Sequence, residues 1–261
     1  MTHPQIGRAL RLMNMEKNGT PTVAQFEALL ADAERLDALV GLLQRRGAAQ
    51  QIANCKNLSA ALLRGGGVPG SAYPAVAKAL ASNADSMRMV LSDAAIFAAF
   101  FAVPEAKAAL LSSTALSPVV IPAMTSNTTP SGVVAASSFY SAGYEPWMAF
   151  DKNPETIWNN DGVQAIDKEW ISYRFASPAF VSGVAITQNT DGYRVKDVDI
   201  QHSSDGAAWQ TVATATLLDV AEQHIAVESP GFYRHWRIKV RSNYSGIYIA
   251  VSEISFSGFF E

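Results

Sequence analysis

Asp151, Asn153 and Thr156 place three oxygen-bearing side chains within six residues. That spacing lets one loop wrap a hard cation. It equally suits an Asx-rich turn capped by its own side chains, with no ion held. A second group is aromatic and amide. Tyr140, Tyr144 and Trp147 precede that loop and Asn159 and Asn160 follow it. Asn189, Asp191, Tyr193 and Arg194 fall in 187–196, and Asn243 and Tyr244 in 241–247. Flat apolar rings can cover the C–H face of a sugar while planar amides meet its hydroxyls. Tyr144, Asn189, Tyr193, Arg194 and Tyr244 are therefore the candidate ligand-binding residues. Arg194, which precedes a strand-like run, would equally suit pairing with a carboxylate.

Catalysis finds little support, and the expectation is that the chain is not an enzyme. The four histidines (His3, His202, His224, His235) show no metal-ligand spacing, and His202 and His235 sit in strand alternations. The single cysteine, Cys55, lies among small residues and reads as buried. No G-x-S-x-G occurs, and no motif sets two carboxylates across a pocket. The glycine-rich stretch 65–70 lacks the Lys-Ser/Thr of a phosphate loop and reads as a hinge or turn.

The elements that must carry these residues differ between the two halves. All five tryptophans (Trp147, Trp158, Trp170, Trp209, Trp236) lie in the second half. Up to Pro118 the chain has 11 Lys+Arg and 8 Asp+Glu, and from Val119 it has 9 and 15, so the sign of the charge reverses. No charged residue occurs between Lys107 and Glu145. These shifts put a boundary near 112–122. A net charge of −3 argues against a nucleic-acid binder. The longest apolar run, Ala94 to Val103, is about half of a membrane span. The N-terminal residues lack an apolar signal-peptide core, and one cysteine permits no intrachain disulfide, which suits synthesis in a reducing cytoplasm.

The first half reads as helix. Thr20-Pro21 suggests a cap with Pro at N1, followed by Val23, Phe26, Leu30 and Ala33 on one face. Leu36, Leu39, Val40 and Leu43 make a second face, ended by Arg45-Arg46-Gly47. Three ten-residue blocks follow at 82–91, 92–101 and 102–111, and a fourth begins at Ser112. Ser82 and Ser92 are the natural caps. Two-turn helices cannot stand alone, and Val90-Leu91, Phe97, Phe100-Phe101 and Leu110-Leu111 form a large apolar supply that suggests association with a partner. The second half reads as strands. Ile171, Tyr173 and Phe175 alternate with polar neighbours, as do Val198, Ile200 and His202, and Trp236, Ile238 and Val240. Asp205-Gly206 between two such runs is a hairpin signal. Trp158, Trp170, Trp209 and Trp236 read as core, and Trp147 as structural. Many short strands with regular turns mean a β-sandwich or jelly roll.

Six segments in order strengthen this reading: AFDKNPETIW (149–158), KEWISYRF (168–175), YRVKDVDIQ (193–201), SSDGAAW (203–209), YRHWRIKV (233–240) and VSEISFSG (251–258). Together they resemble the discoidin domain, or coagulation factor V/VIII type C domain, close to the carbohydrate-binding modules of family 32. The resemblance implies a structural Ca2+ held by Asp151, Asn153 and Thr156 with Glu253 from the C-terminal strand. Lys152 stands where the family commonly has glycine. The lead-in 121–138 with EPWMAFD (145–151) resembles discoidin domains carried on bacteriophage tail and other virion proteins. The helical blocks are similar to repeats in phage structural proteins.

The expectation is an α+β multidomain chain. Residues 1–116 form an all-α helical assembly and anchoring domain, and 117–261 an all-β discoidin-like jelly-roll sandwich. The implied role is that of a virion structural protein (tail, baseplate or decoration). It would be made in the host cytoplasm, form a homo-oligomer, contact other virion subunits, bind a host cell-surface polysaccharide, and neither bind nucleic acid nor enter a membrane. The alternatives are a protein-binding cement module with no glycan ligand, a non-viral bacterial glycan-binding protein, and an accessory subunit of a glycoside-active enzyme.

Overall fold

The computed structural model describes residues 3–17, 21–43, 51–52, 54–64, 68, 70–188 and 192–261. Thr20, Arg45-Arg46-Gly47, most of 65–70, Asn189 and Asp191 lie outside the described residues. The chain divides into two compact units, Met1–Ser117 and Pro118–Glu261.

Eight α-helices are described in the first unit: α1 His3–Lys17, α2 Val23–Leu30, α3 Ala33–Leu43, α4 Lys56–Arg64, α5 Tyr73–Leu80, α6 Ala84–Ser92, α7 Ala94–Phe101 and α8 Pro104–Leu111. Helix α2 is capped by Thr22 rather than Thr20. Thr22 and Gln25 each satisfy the other's backbone N–H in a capping box. On α3 the buried seam is Ala38, Leu39 and Leu42, so the face is turned slightly from the one the spacing suggested. Helix α4 is buried on almost every side and packs against α1, α2, α6 and α7.

The ten-residue repeat is real and starts one block earlier, at Ala72. In each of the four blocks the fifth and ninth residues are buried: Val76 and Leu80, Ser86 and Val90, Ile96 and Phe100, Ala106 and Leu110. An i, i+4 pair lies on one face of a helix, so each block buries one face. Ser82 and Ser92 are not the caps. Asn83 accepts from Ser86 N (2.9 Å), and Asp93 accepts from Ala95 N and Ile96 N (3.1 and 3.2 Å). Ser92 is the last residue of α6, and Ser82 Oγ donates to Ala79 O (2.8 Å) behind α5. Asn and Asp one position later reach the free N–H groups of the first turn. Asp93 also pairs with Arg64 of α4. Between α7 and α8 the axis turns by 113° at Val103-Pro104. Val90, Leu91, Phe97, Phe100, Phe101 and Leu110 are buried and Leu111 is half-buried, so the six buried residues give no reason of their own to expect association. Among the described residues no single helix is long and apolar enough to cross a membrane.

The second unit is an antiparallel sandwich of β1 Val133–Ala136, β2 Trp158–Asn159, β3 Trp170–Thr187, β4 Val195–Ser203, β5 Gln210–Thr216, β6 Glu222–Ala226, β7 Tyr233–Asn243, β8 Ala250–Val251 and β9 Glu253–Phe260. Strand β3 serves both layers. Its first part pairs with β1 and β7, and β7 continues to β4 and β5. The register breaks between Arg174 and Ala179, and the second part then pairs with β9 and β6. The core between the layers holds Ile171, Tyr173, Val198, Ile200, Trp236, Ile238 and Val240 from one side and Val184, Ile186, Ile225, Ile254 and Phe256 from the other. Trp158 and Trp236 are fully buried. Trp170 and Trp209 are only half-buried, in contrast to the expectation. Trp170 has the opposite parity to Ile171 and so faces outward. The Arg237 guanidinium lies 4.2 Å from the Trp209 ring centre and 5.9 Å from that of Trp170.

Candidate functional site

Four tyrosines gather where the loops at one end of the sandwich meet. Tyr140 and Tyr144 come from the segment after β1, Tyr193 stands just before β4, and Tyr248 just before β8. Their rings form a continuous edge-to-face series: Tyr144 to Tyr140 at 5.6 Å, Tyr140 to Tyr248 at 5.7 Å, and Tyr248 to Tyr193 at 6.2 Å. With Ile157 and Asn159 they line a cleft of about 310 Å³. Backbone bonds join the contributing segments: Tyr140 N donates to Asn159 O and Ala250 N to Tyr193 O, both at 2.8 Å. Asn159 Oδ1 is buried and has no hydrogen-bond partner among the described residues. Edge-to-face rings are an arrangement that aromatic quadrupoles favour, so each ring supports the placement of the next. Chemically the cleft offers flat rings, phenol hydroxyls and one amide.

The cation-like loop follows the 3-10 turn Pro146–Phe150. Asp151 Oδ1 accepts from Asn153 N (2.9 Å), and Thr156 Oγ1 donates to Asp151 Oδ2 and Asn153 O, both at 2.7 Å. Glu253 comes to the same place from β9, within hydrogen-bonding reach of Asp151. Burial, and then the Asp151 carboxyl beside it, pushes its pKa up to about 7, against the opposing pull of the Lys152 and Asn153 backbone N–H groups. Glu253 Oε1 is buried and has no hydrogen-bond partner among the described residues. Two carboxylates pressed together, one with an orphaned buried oxygen, fit a site for a hard cation. Among the described residues no group of three or more His, Cys, Asp or Glu side chains gathers around a metal position, so an amide and a hydroxyl would complete this set. Lys152 is exposed, and its φ of 61° is the only positive value among the described non-glycine residues. A left-handed position is where glycine fits without strain.

Residues 133–254 match the F5/8 type C domain. No curated protein matches the chain. Among solved structures, a family 32 carbohydrate-binding module from C. perfringens in complex with galactose is similar at 21% identity, over 48% of this chain and 93% of that one (TM-score 0.43). An F5/8 type C domain from Bacteroides fragilis is similar at 21% identity over 56% and 98% (TM-score 0.45). A chitosan-binding module from a Paenibacillus sp. IK-5 chitosanase/glucanase, in complex with chitotriose, is similar at 23% identity over 49% and 97% (TM-score 0.43).

Within the matched residues 133–254 the expected ligand residues separate. Tyr144 and Tyr193 line the cleft. Arg194 does not. Its Nε donates to Gln188 O (2.9 Å) and its NH1 to Asp219 Oδ1 (2.8 Å), the carboxylate pairing that its position before a strand also allowed. Tyr244 lies elsewhere as well. Its hydroxyl donates to Leu217 O (2.7 Å), and Lys196 Nζ sits 5.7 Å from the ring centre. Asn189 lies outside the described residues. The metal-like set Asp151, Asn153, Thr156 and Glu253 does come together. Tyr140 and Asn159 were among the loop residues but not the chosen candidates. Tyr248 was missed, because Ile247, Tyr248, Ile249, Ala250 and Val251 make an apolar run in which a tyrosine ring resembles core. The polar Asn243–Gly246 stretch ahead of it is the one signal that the run opens at a loop end.

Proposed function

We propose that the F5/8 type C domain binds a carbohydrate in the tyrosine cleft, without catalysis. The observation that carries this reading is the edge-to-face series Tyr144–Tyr140–Tyr248–Tyr193 beside Asn159. A pyranose presents apolar C–H faces and hydroxyls together, and rings plus an amide answer both. The galactose and chitotriose complexes of the two similar modules make those sugars reasonable first probes. A Ca2+ held by Asp151, Asn153, Thr156 and Glu253 would neutralise the two carboxylates and pin the loop, taking no part in chemistry. Weak binding at each site would gain from many copies on one particle. We place the chain on a bacteriophage virion, with the helical unit as anchor among other subunits and a host-surface polysaccharide as ligand. That setting is supported by the resemblance of 121–138 and 145–151 to virion discoidin domains.

The test is a glycan array carrying galactose, N-acetylgalactosamine-β-1,3-galactose and chitotriose, probed with the full chain. Wild type binds a defined sugar, and Tyr193→Ala binds about tenfold more weakly with an unchanged melting temperature. Equal binding by the variant moves the site off the cleft. A blank array with folded protein favours the cement reading, in which the tyrosine rim is buried against a protein partner.

A further inference from the structure

Glu169 has no exposed surface (0%), a placement that is costly for a carboxyl group unless its oxygens are bonded. It does not line the cleft, but its partners lead there. Ser137 Oγ donates to Oε2, Ser138 Oγ reaches Oε1 at 3.1 Å and Oε2 at 2.9 Å, and Asn160 Nδ2 donates to Oε1 at 3.1 Å.

Each partner passes the tie onward. Ser138 Oγ accepts from Asp161 N (3.2 Å), and Ser138 O accepts from Trp158 Nε1 (2.9 Å). The Asn160 side chain brackets Tyr248: Nδ2 donates to Ile247 O (3.0 Å) and Oδ1 accepts from Ile249 N (2.7 Å). The bond from Tyr140 N to Asn159 O closes the remaining gap. Three segments far apart in sequence carry Tyr140, Asn159 and Tyr248, and all converge on one buried side chain.

We infer that Glu169 is the positioning residue of the cleft: through Ser138 and Asn160 it sets the spacing of Tyr140, Asn159 and Tyr248. The effect on sugar affinity rests on the carbohydrate reading above, whereas the effect on loop order does not. A preformed cleft avoids ordering its loops at the moment of binding, so releasing this anchor weakens binding even though no contact residue changes. Glu169→Gln keeps the size and one carbonyl acceptor but replaces the other oxygen with a donor facing two serine hydroxyls.

Hydrogen exchange by mass spectrometry on the full chain, together with binding of galactose and chitotriose, tests this. In Glu169→Gln, peptides covering 138–141, 158–161 and 247–250 exchange about tenfold faster while β4 and β7 keep wild-type rates. Binding of whichever sugar the wild type retains falls about tenfold. Uniform acceleration that includes β4 and β7 marks a general structural role and overturns the inference, as does unchanged exchange in the three segments. Loosened segments in a protein whose wild type binds neither sugar would uphold the positioning role and sink the carbohydrate reading. If Glu169→Gln does not fold, Ser138→Ala cuts the same chain of bonds at its next link and is judged by the same pattern.

Discussion

The helical unit and the β-sandwich use aromatic side chains in opposite ways. In the helical blocks Phe97, Phe100 and Phe101 are consumed by packing, and Phe100 is fully buried. In the sandwich, Trp158, Trp236, Tyr173 and Phe180 fill the core, but Tyr140, Tyr144 and Tyr193 stand exposed at 54%, 36% and 41% on loops. Two-turn helices need every large apolar residue to cover one another. A sandwich with a sufficient core can leave rings at its rim, where rigid strands hold loops free for recognition. On the proposed function, stability falls to the first set of rings and recognition to the second.

The sharpest test removes one ring from the helical unit. Phe100→Ala should cost about 3–5 kcal/mol, seen as a lower melting temperature of the helical transition with sugar binding intact. If its loss also abolished binding, the division of labour would fail. Chelation should then lower the melting temperature of the sandwich by roughly 5 °C in wild type and leave Asp151→Ala unmoved. An identical response in both proteins would leave the loop as a self-capped turn. His202 predicts a smaller, pH-dependent loss. It stacks 3.5 Å from the Tyr233 ring centre, and burial holds its pKa at about 4, below the ordinary 6.5. The unfolded chain therefore takes up a proton that the native state does not. Its contribution is intact above pH 6.5 and declines as pH falls toward 4. Denaturant midpoints across that window should fall less steeply in His202→Gln, and parallel curves would contradict the assignment. The smallest effect is a gain: Lys152→Gly should stabilise the sandwich by about 1 kcal/mol by removing left-handed strain.

Strand pairing was readable wherever one face is buried, because parity fixes which side each residue takes: Ile171, Tyr173, Trp236 and Ile238 all fall inward as their alternation requires. The same rule read strictly turns Trp170 outward, although its place in a strand motif suggests core. The ten-residue repeat was visible, but its caps were displaced by one position, since serine, asparagine and aspartate can all cap and only the chain's path selects among them. The cation-like loop was readable because three of its residues are local. The cleft was half readable. Tyr144 and Tyr193 stood out as aromatics in polar loops, whereas Tyr248 hid in an apolar run and Glu169 reaches the cleft only through side-chain bonds between distant segments.

The four-tyrosine cleft is the proposed sugar site. The most direct measurement is side-by-side glycan-array binding of wild-type full chain and Tyr193→Ala, with melting curves on the same samples. A sugar site in the cleft means a defined sugar bound by wild type, about tenfold weaker binding by the variant, and coincident melting curves. Equal binding by both proteins, or no sugar bound by a fully folded wild type, would contradict it.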